Sequence, residues 1–258
     1  MNSKKYSNPN QKSKSDLPIL QKKQNVVNVA NKSNEVGKLY IVPTPIGNME
    51  DITLRAIRIL NEVDVILCED TRVTSKLLQH LGINKKLVSY HNFNEKSRVG
   101  QIIEKLNQGE SFALVSDAGT PSISDPGFIL VKELIESNFE IISLPGAVAS
   151  ITALVGSGMD TESFIFLGFP PQKKGRQTFI KSLSNYNYTI IMYESPHRIN
   201  KLIDELVEFG YKDCKICISR ELTKIYEEYI RGTAIEIQDL LKAREPLKGE
   251  ITVIMSRG

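Results

Sequence analysis

From Lys38 onward, short β-branched runs alternate with longer amphipathic stretches. The runs LYIV, VDVIL, LVSY, FALVS and FEIISL each fit a buried strand. Between them, DITLRAIRILNEV, TSKLLQHLG, NEKSRVGQIIEKLNQG and DPGFILVKELIESN repeat their apolar residues at three- and four-residue steps, the period of a helix with one buried face. Strand and helix in strict alternation predict βαβ units and a parallel sheet. After the helix-like ASITALVGSG, a second pattern follows: FIFLGF, GRQTFIKSL, YTIIMYES, HRINKLIDELVEFG, KICISREL, IYEEYIRG, IEIQDLLKA and EITVIMSR. Here two strands adjoin with no helix between them, which predicts a mixed sheet with an antiparallel edge. The fold class expected is α/β, with two α/β domains and a cleft between them. The hinge is expected near Val155 to Asp160, where Gly156 and Gly158 interrupt the pattern. The domains are then residues 37–155 and 156–258.

The turns divide into two kinds. Those after Gly82 and Gly109 are terse, whereas PTPIGN, EDTR, HNFNE, SDAGTPSISDPG and LPGAVAS, each following a strand, are long or chemically unusual. In open parallel sheets ligands sit beyond the carboxyl ends of the strands, so all five loops are expected to line one crevice.

Residues 1–36 break the rhythm. They are rich in Asn, Lys, Ser and Gln, and seven Lys face only Asp16 and Glu35, a local balance of +5. Such a segment cannot offset its own ordering entropy and reads as a disordered tail. Of the overall +3, residues 37–258 therefore carry −2, so the folded part has no general positive field to steer an acidic partner. No apolar run is long enough to span a bilayer, and the first thirty residues lack the apolar stretch of a signal peptide, which leads to the expectation of a cytoplasmic protein. Cys68, Cys214 and Cys217 are an odd, sparse set that suits a reducing compartment. Cys214 and Cys217 have metal-site spacing but no second pair, and Cys217 alternates with apolar neighbours as a strand residue does; no metal is expected.

No strand is followed by a dinucleotide fingerprint or a phosphate-cradling Gly-Lys loop, and no Ser-His-Asp set or nucleophile elbow is present. The loops offer main-chain donors and small residues instead: Pro43, Thr44, Pro45 and Gly47 in the first, Ala118, Gly119, Thr120 and Pro121 in the fourth. This suits a zwitterionic, purine-bearing cofactor held by backbone, although Gly and Pro in loops also simply make turns.

LYIVPTPIGN, EDTR, HNFNE, ALVSDAGTPSISDPG, LPG, ITAL, YESPHR and SRELTK, in this order, resemble the ribosomal RNA small-subunit methyltransferase I family of the tetrapyrrole methylase superfamily. The likeness covers about residues 38 to 256. It implies a Rossmann-like parallel N-terminal sheet, a mixed C-terminal sheet, S-adenosylmethionine in the cleft, a homodimer, and a cytidine 2′-hydroxyl in ribosomal RNA or in the assembled subunit as acceptor. Carried onto this chain, the cofactor site is expected at Pro45, Ser116, Ala118, Gly119, Thr120, Ser124, Asp125, Gly146, Ala147 and Tyr193. One departure stands out: the family's fifth loop commonly continues Leu-Pro-Gly with a second proline, where this chain has Ala147 and Val148. Ala147 frees a backbone donor and puts the cofactor's fit there in question.

A ribose hydroxyl needs help to lose its proton, and a nearby carboxylate supplies it. Glu69 and Asp70, at the end of the second strand, are the candidate bases, with Arg72 beside them; the same residues equally suit a helix cap and a surface ion pair. Glu95 is a weaker candidate, at a helix start. For RNA, the expected contacts are Arg72, Lys173, Lys174, Arg176, His197, Arg198, Arg220 and Lys224. His197 fits a base-stacking or a structural role, and Phe93, flanked by two Asn residues, fits stacking on an unpaired base or a place in the core, of which the core is expected. PTPIGN favours RNA over a macrocycle, since the tetrapyrrole-methylating relatives carry a Gly-rich first loop. Methylation of a tetrapyrrole or other small acceptor is the alternative enzyme, and a ribosome assembly factor without cofactor is the nonenzymatic one.

Overall fold

The first five hydrophobic runs become β1 (Leu39–Ile41), β2 (Val65–Cys68), β3 (Lys86–Ser89), β4 (Phe112–Leu114) and β5 (Ile141–Ser143) in the computed structural model, which describes residues 36–256. All pair in parallel, in the order β3-β2-β4-β1-β5. The expected disordered tail at residues 1–36 lies, but for Val36, outside the described residues.

Helices α1 (Leu54–Glu62), α2 (Thr71–His80), α3 (Glu95–Asn107) and α4 (Phe128–Glu136) cover both faces of this sheet. The two-residue alternation of the strands does the sorting. Leu39, Val65, Leu67, Phe112 and Leu114 pack with Val99, Ile102, Leu106, Leu130 and Leu134 on one side. Ile66, Cys68, Ala113 and Val115 pack with Ala56, Ile59, Leu60 and Leu78 on the other. Thr53 caps α1 by accepting from the Ala56 N–H at 3.0 Å, and Asp70 caps α2, as its place before TSKLLQ suits, by accepting from the Arg72 N–H at 2.8 Å.

The second sheet contains β6 (Phe164–Phe166), β7 (Thr189–Glu194), β8 (Lys215–Arg220), β9 (Glu228–Thr233) and β10 (Ile251–Ser256), ordered β6-β7-β10-β8-β9. Only β6 and β7 are parallel; β8 and β9 form the antiparallel edge. Helices α6 (Arg176–Ser182), α7 (Ile199–Glu208) and α8 (Ala234–Lys242) cover one face. The other face, through Ile191, Cys217 and Ile254, meets α5 (Ala149–Ser157) and reaches Ile46 in the loop after β1. By packing, α5 therefore belongs with the second sheet, and the boundary expected at 155/156 falls in its last turn, just before the left-handed Gly158 (φ 78°). Both sheets belong to one compact unit. Cys214 and Cys217 are buried in different clusters on opposite faces of the second sheet.

Arg176, expected at an RNA surface, is instead a buried strut. Only 3 % exposed, it donates from Nε to Glu205 at 2.6 Å and from Nη1 to the Pro171 carbonyl at 3.1 Å and to Glu194 at 3.4 Å. The seven-residue α6 turns its first side chain toward α7 and the end of β7, where the buried Glu194 and the half-buried Glu205 need a cation. Removing that cation leaves Glu194 buried with only Arg198, among the described residues, to compensate it. Arg176→Ala is expected to cost about 3–5 kcal/mol and lower Tm by roughly 10 °C, measured by scanning calorimetry; a loss of under about 2 °C would show that the strut is dispensable.

Candidate functional site

Because every strand of the first sheet runs in the same direction, all five strand-end loops leave one edge of it. Three of them, after β1, β4 and β5, meet the second sheet and enclose a cavity of about 380 Å³. The loops EDTR and HNFNE, expected to line the same crevice, do not, because β2 and β3 stand on the side of the sheet away from this contact. The cavity opens where β4 lies against β1, the point at which successive strands change from being added on one side of β1 to the other.

The loops after β1 and β4 are tied together. Thr44 N–H donates to the Gly119 carbonyl at 2.9 Å and Gly119 N–H returns a bond to the Thr44 carbonyl at 3.1 Å. The Thr44 hydroxyl donates to the Ser116 carbonyl at 3.1 Å, and the Ser116 hydroxyl to the Gly119 carbonyl at 3.1 Å. The Thr120 hydroxyl fastens the loop after β5 by donating to the Ala147 carbonyl at 2.9 Å. The long fourth loop is sharply bent, with Ser122 (φ 70°) and Ser124 (φ 66°) both left-handed. Its far end is held by Glu95: this buried carboxylate accepts from the N–H groups of Gly127 and Ile129, each at 3.1 Å. Glu95 is thus an anchor for α4 and is turned away from base chemistry.

Of the residues expected to hold a cofactor, Ala118, Gly119, Thr120, Ser124, Asp125 and Tyr193 line the cavity. Ser116 and Ala147 stand behind it as hydrogen-bonding partners of the loops. Gly146 packs on Pro43: a Cβ there would lie 2.4 Å from the Pro43 ring. Pro45 joins Thr44 to Ile46, which does line the cavity. Gly47 has a comparable role, since a Cβ there would come within 2.9 Å of the Leu222 carbonyl. Small residues in these loops therefore serve loop-to-loop approach as well as the space left for a ligand. The Tyr193 hydroxyl accepts from the Ser150 N–H at 3.2 Å, and its ring meets Phe166 and Phe169.

The lining also includes residues that the sequence reading passed over: Asp117, Phe169 and Glu194, and the stretch from Gly249 to Thr252 at the start of β10. Gly249 to Thr252 carry no motif, and only the antiparallel return of β10 between β7 and β8 brings them here.

The electrostatics single out a few carboxylates. Burial, then the charges of Glu69 and Asp117, push Asp125 up to about 6, with a Ser116 hydrogen bond opposing. Burial also raises Asp117 and Glu69. Asp70 moves the other way: hydrogen bonds from Arg72 hold it at about 2, and it caps α2. Asp70 is thus committed to the cap and ion pair. Its N–H donates to Asp117 at 3.1 Å, which brings the end of β2 beside the cavity without lining it.

Among the residues expected at RNA, Lys173, Lys174 and His197 are exposed, as is the Arg72 side chain despite its bonds to Asp70. The others are engaged. Arg198 pairs with Glu194 at 2.8 Å, Arg220 with Glu228 at 3.1 Å, and Lys224 with Glu221 at 2.9 Å and Glu250 at 3.1 Å. Phe93, expected in the core, is 98 % exposed. Tyr90 fills the interior position at the end of β3, and the Asn94 side chain closes the turn by accepting from the His91 N–H and donating to the Ser89 carbonyl, which leaves Phe93 at the outer tip.

Known proteins agree with this architecture. Residues 38–238 match the model of the tetrapyrrole (corrin/porphyrin) methylases. "Ribosomal RNA small subunit methyltransferase I" of Hydrogenobaculum sp. is 48 % identical over 221 residues, covering 85 % of this chain and 96 % of its own. The protein of the same name from Halalkalibacterium halodurans is 49 % identical over 225 residues, covering 86 % and 76 %. Among solved structures, uroporphyrin-III C-methyltransferase from Thermus thermophilus, complexed with S-adenosylhomocysteine, superposes with a TM-score of 0.60 at 16 % identity, covering 85 % of this chain and 97 % of its own, a likeness of fold. The chain belongs to the tetrapyrrole methylases and, within them, to the ribosomal RNA small subunit methyltransferases I.

Proposed function

We propose that this protein transfers the methyl group of S-adenosylmethionine to a cytidine ribose 2′-hydroxyl in small-subunit ribosomal RNA, with the cofactor in the cavity between the two sheets. The observation that carries the reading is the cavity itself, built at the strand-order switch by the loops on which the family resemblance rests. The relatives' names support ribosomal RNA as acceptor, and the S-adenosylhomocysteine complex of a structural neighbour supports the cofactor. Ala118, Gly119, Thr120, Ser124 and Tyr193 are the contacts we assign to the cofactor, with Lys173, Lys174, Arg72 and His197 left to meet RNA. The same reading extends to a cytoplasmic homodimer.

Methyl transfer from a sulfonium is an in-line displacement in which the leaving sulfur loses its charge, so positioning of the two reactants supplies most of the acceleration. A carboxylate that takes the hydroxyl proton contributes about 10²- to 10⁴-fold more. Asp125 is the base we assign, because it lines the cavity and its acidity lies near neutrality. Glu69 tunes it by repulsion. Asp70, held at about 2 by Arg72, is too weak a base for this role.

Incubating the enzyme with labelled S-adenosylmethionine and small ribosomal subunits lacking the modification should yield 2′-O-methylcytidine on nucleoside analysis. No label, with cofactor binding intact by titration calorimetry, would redirect the search to other acceptors. Since the base works deprotonated, kcat should rise with pH through about 6. Asp125→Asn should lower kcat by about 10²-fold or more and abolish that limb, while Glu69→Gln removes a repulsive charge and should shift it to lower pH. If Asp125→Asn loses cofactor affinity instead and turns over normally at saturation, Asp125 belongs to binding.

A further inference from the structure

The loop joining β8 to β9, residues 221–227, is built at a cost. Glu221 (φ 51°) and Thr223 (φ 64°) both occupy the left-handed region, and Thr223 is β-branched, the residue type least suited to it. Such conformations persist only where their surroundings over-determine them. Glu221 N–H donates to the Glu250 carbonyl at 2.9 Å, and its carboxylate accepts from the Glu250 N–H and from Lys224, each at 2.9 Å. Thr223 N–H donates to Glu227 at 2.6 Å, and the Thr223 hydroxyl accepts from the Asn48 N–H at 3.0 Å. That last bond locks the loop to PTPIGN, against which it packs directly and where Gly47 leaves room for it.

What this rigid frame presents is two apolar side chains in water: Ile225, 94 % exposed, and Tyr226, 72 % exposed. Neither belongs to a core cluster, so their exposure contributes nothing to the fold. Leu222 and Glu250, at the base of the loop, both line the cavity, so the loop springs from its wall.

We propose that Ile225 and Tyr226 form a docking surface for an unpaired nucleobase flanking the methylated nucleotide, with the Tyr226 ring as stacking face and Ile225 packed at the base's edge. The proposal rests on the reading of the chain as a ribosomal RNA methyltransferase. Two side chains fall far short of the roughly 800 Å² per partner that a stable protein interface needs, but they match one base. Charge points the same way. The loop carries Glu221 and Glu227, the adjoining Glu228 is held by Arg220 and Arg244, and the loop's one cation, Lys224, is held by Glu221 and Glu250. A phosphate would meet a cation already engaged by two carboxylates, whereas the uncharged face of a base needs none. An enzyme that must bring one ribose to a buried methyl group gains from gripping a neighbouring base at a rigid point, since the frame is ordered before the RNA arrives.

The test is filter binding of small ribosomal subunits lacking the modification, at fixed salt, with the full chain. Tyr226→Ala is expected to weaken binding by about 5- to 100-fold, Ile225→Ala by less, and Tyr226→Phe by under about 2-fold, since the ring is kept. S-adenosylmethionine affinity should be unchanged in all three, as should the salt dependence of subunit binding, because no phosphate contact is removed. Wild-type affinity for subunits in Tyr226→Ala would overturn the proposal. So would a parallel loss of cofactor affinity, which would make the loop a structural element, or a change of oligomeric state in sedimentation with subunit affinity intact, which would give the surface to a second copy. Failure of the wild-type protein itself to bind subunits would instead remove the underlying reading, and the proposal with it.

Discussion

The reciprocal pair of backbone hydrogen bonds between Thr44 and Gly119 holds the functional end of the molecule together. Each bond contributes only about 0.5–1.5 kcal/mol. Their position gives them leverage: they join the loops that leave β1 and β4, the two adjacent strands between which the sheet's order changes direction. From that pair the ties spread to Ser116, through Thr120 to Ala147, and from the end of the first loop through Asn48 to Thr223. Loops that would wander singly become one wall. The cost is that the amides of Thr44 and Gly119 are spent on each other, so a ligand has to draw on the rest of the lining.

The charges around the cavity fall into two sets. Glu194 and Glu250 line it but are already compensated, the first by Arg176 and Arg198 and the second by Lys224. Asp117 and Asp125 line it with no ion pair among the described residues, and burial raises both. Glu194 stiffens the wall, because a buried carboxylate with its cations fixes the elements that carry them, whereas the exposed pair of Glu250 with Lys224 adds little. The second set is held in a state where a proton or a cationic ligand changes its energy appreciably. Asp70 shows the contrast: an exposed guanidinium and a helix N-terminus satisfy it and lower its pKa.

Much of this was legible along the chain. Alternation with period two and repeats with period 3.6 depend on neighbours in sequence, so each predicted strand and helix appears at its place, and the adjoining runs KICISREL and IYEEYIRG form the antiparallel edge. The loop strings carried the family, because long contiguous strings survive as strings. Ala118, Gly119, Thr120, Ser124, Asp125 and Tyr193 were brought to one cavity as their motifs suggested.

Other features were set by three-dimensional neighbours that no local pattern encodes. Arg176 reads as one of three basic residues opening a helix, yet the buried Glu194 on β7 and the half-buried Glu205 on α7 make it a strut while Lys173 and Lys174 remain in water. Phe93 reads as core by hydrophobicity, yet Tyr90 already fills the interior and the Asn94 turn leaves Phe93 at the tip. EDTR and HNFNE leave the same edge as the other loops, but the position of β2 and β3 in the sheet keeps them outside the cavity. The sequence by itself determined the elements, the direction in which they run and the family, since these follow from local periodicity and contiguous motifs. Only the tertiary structure decided which strand lies beside which, and hence which charges are compensated and which loops meet, because burial and pairing depend on residues far apart in the chain.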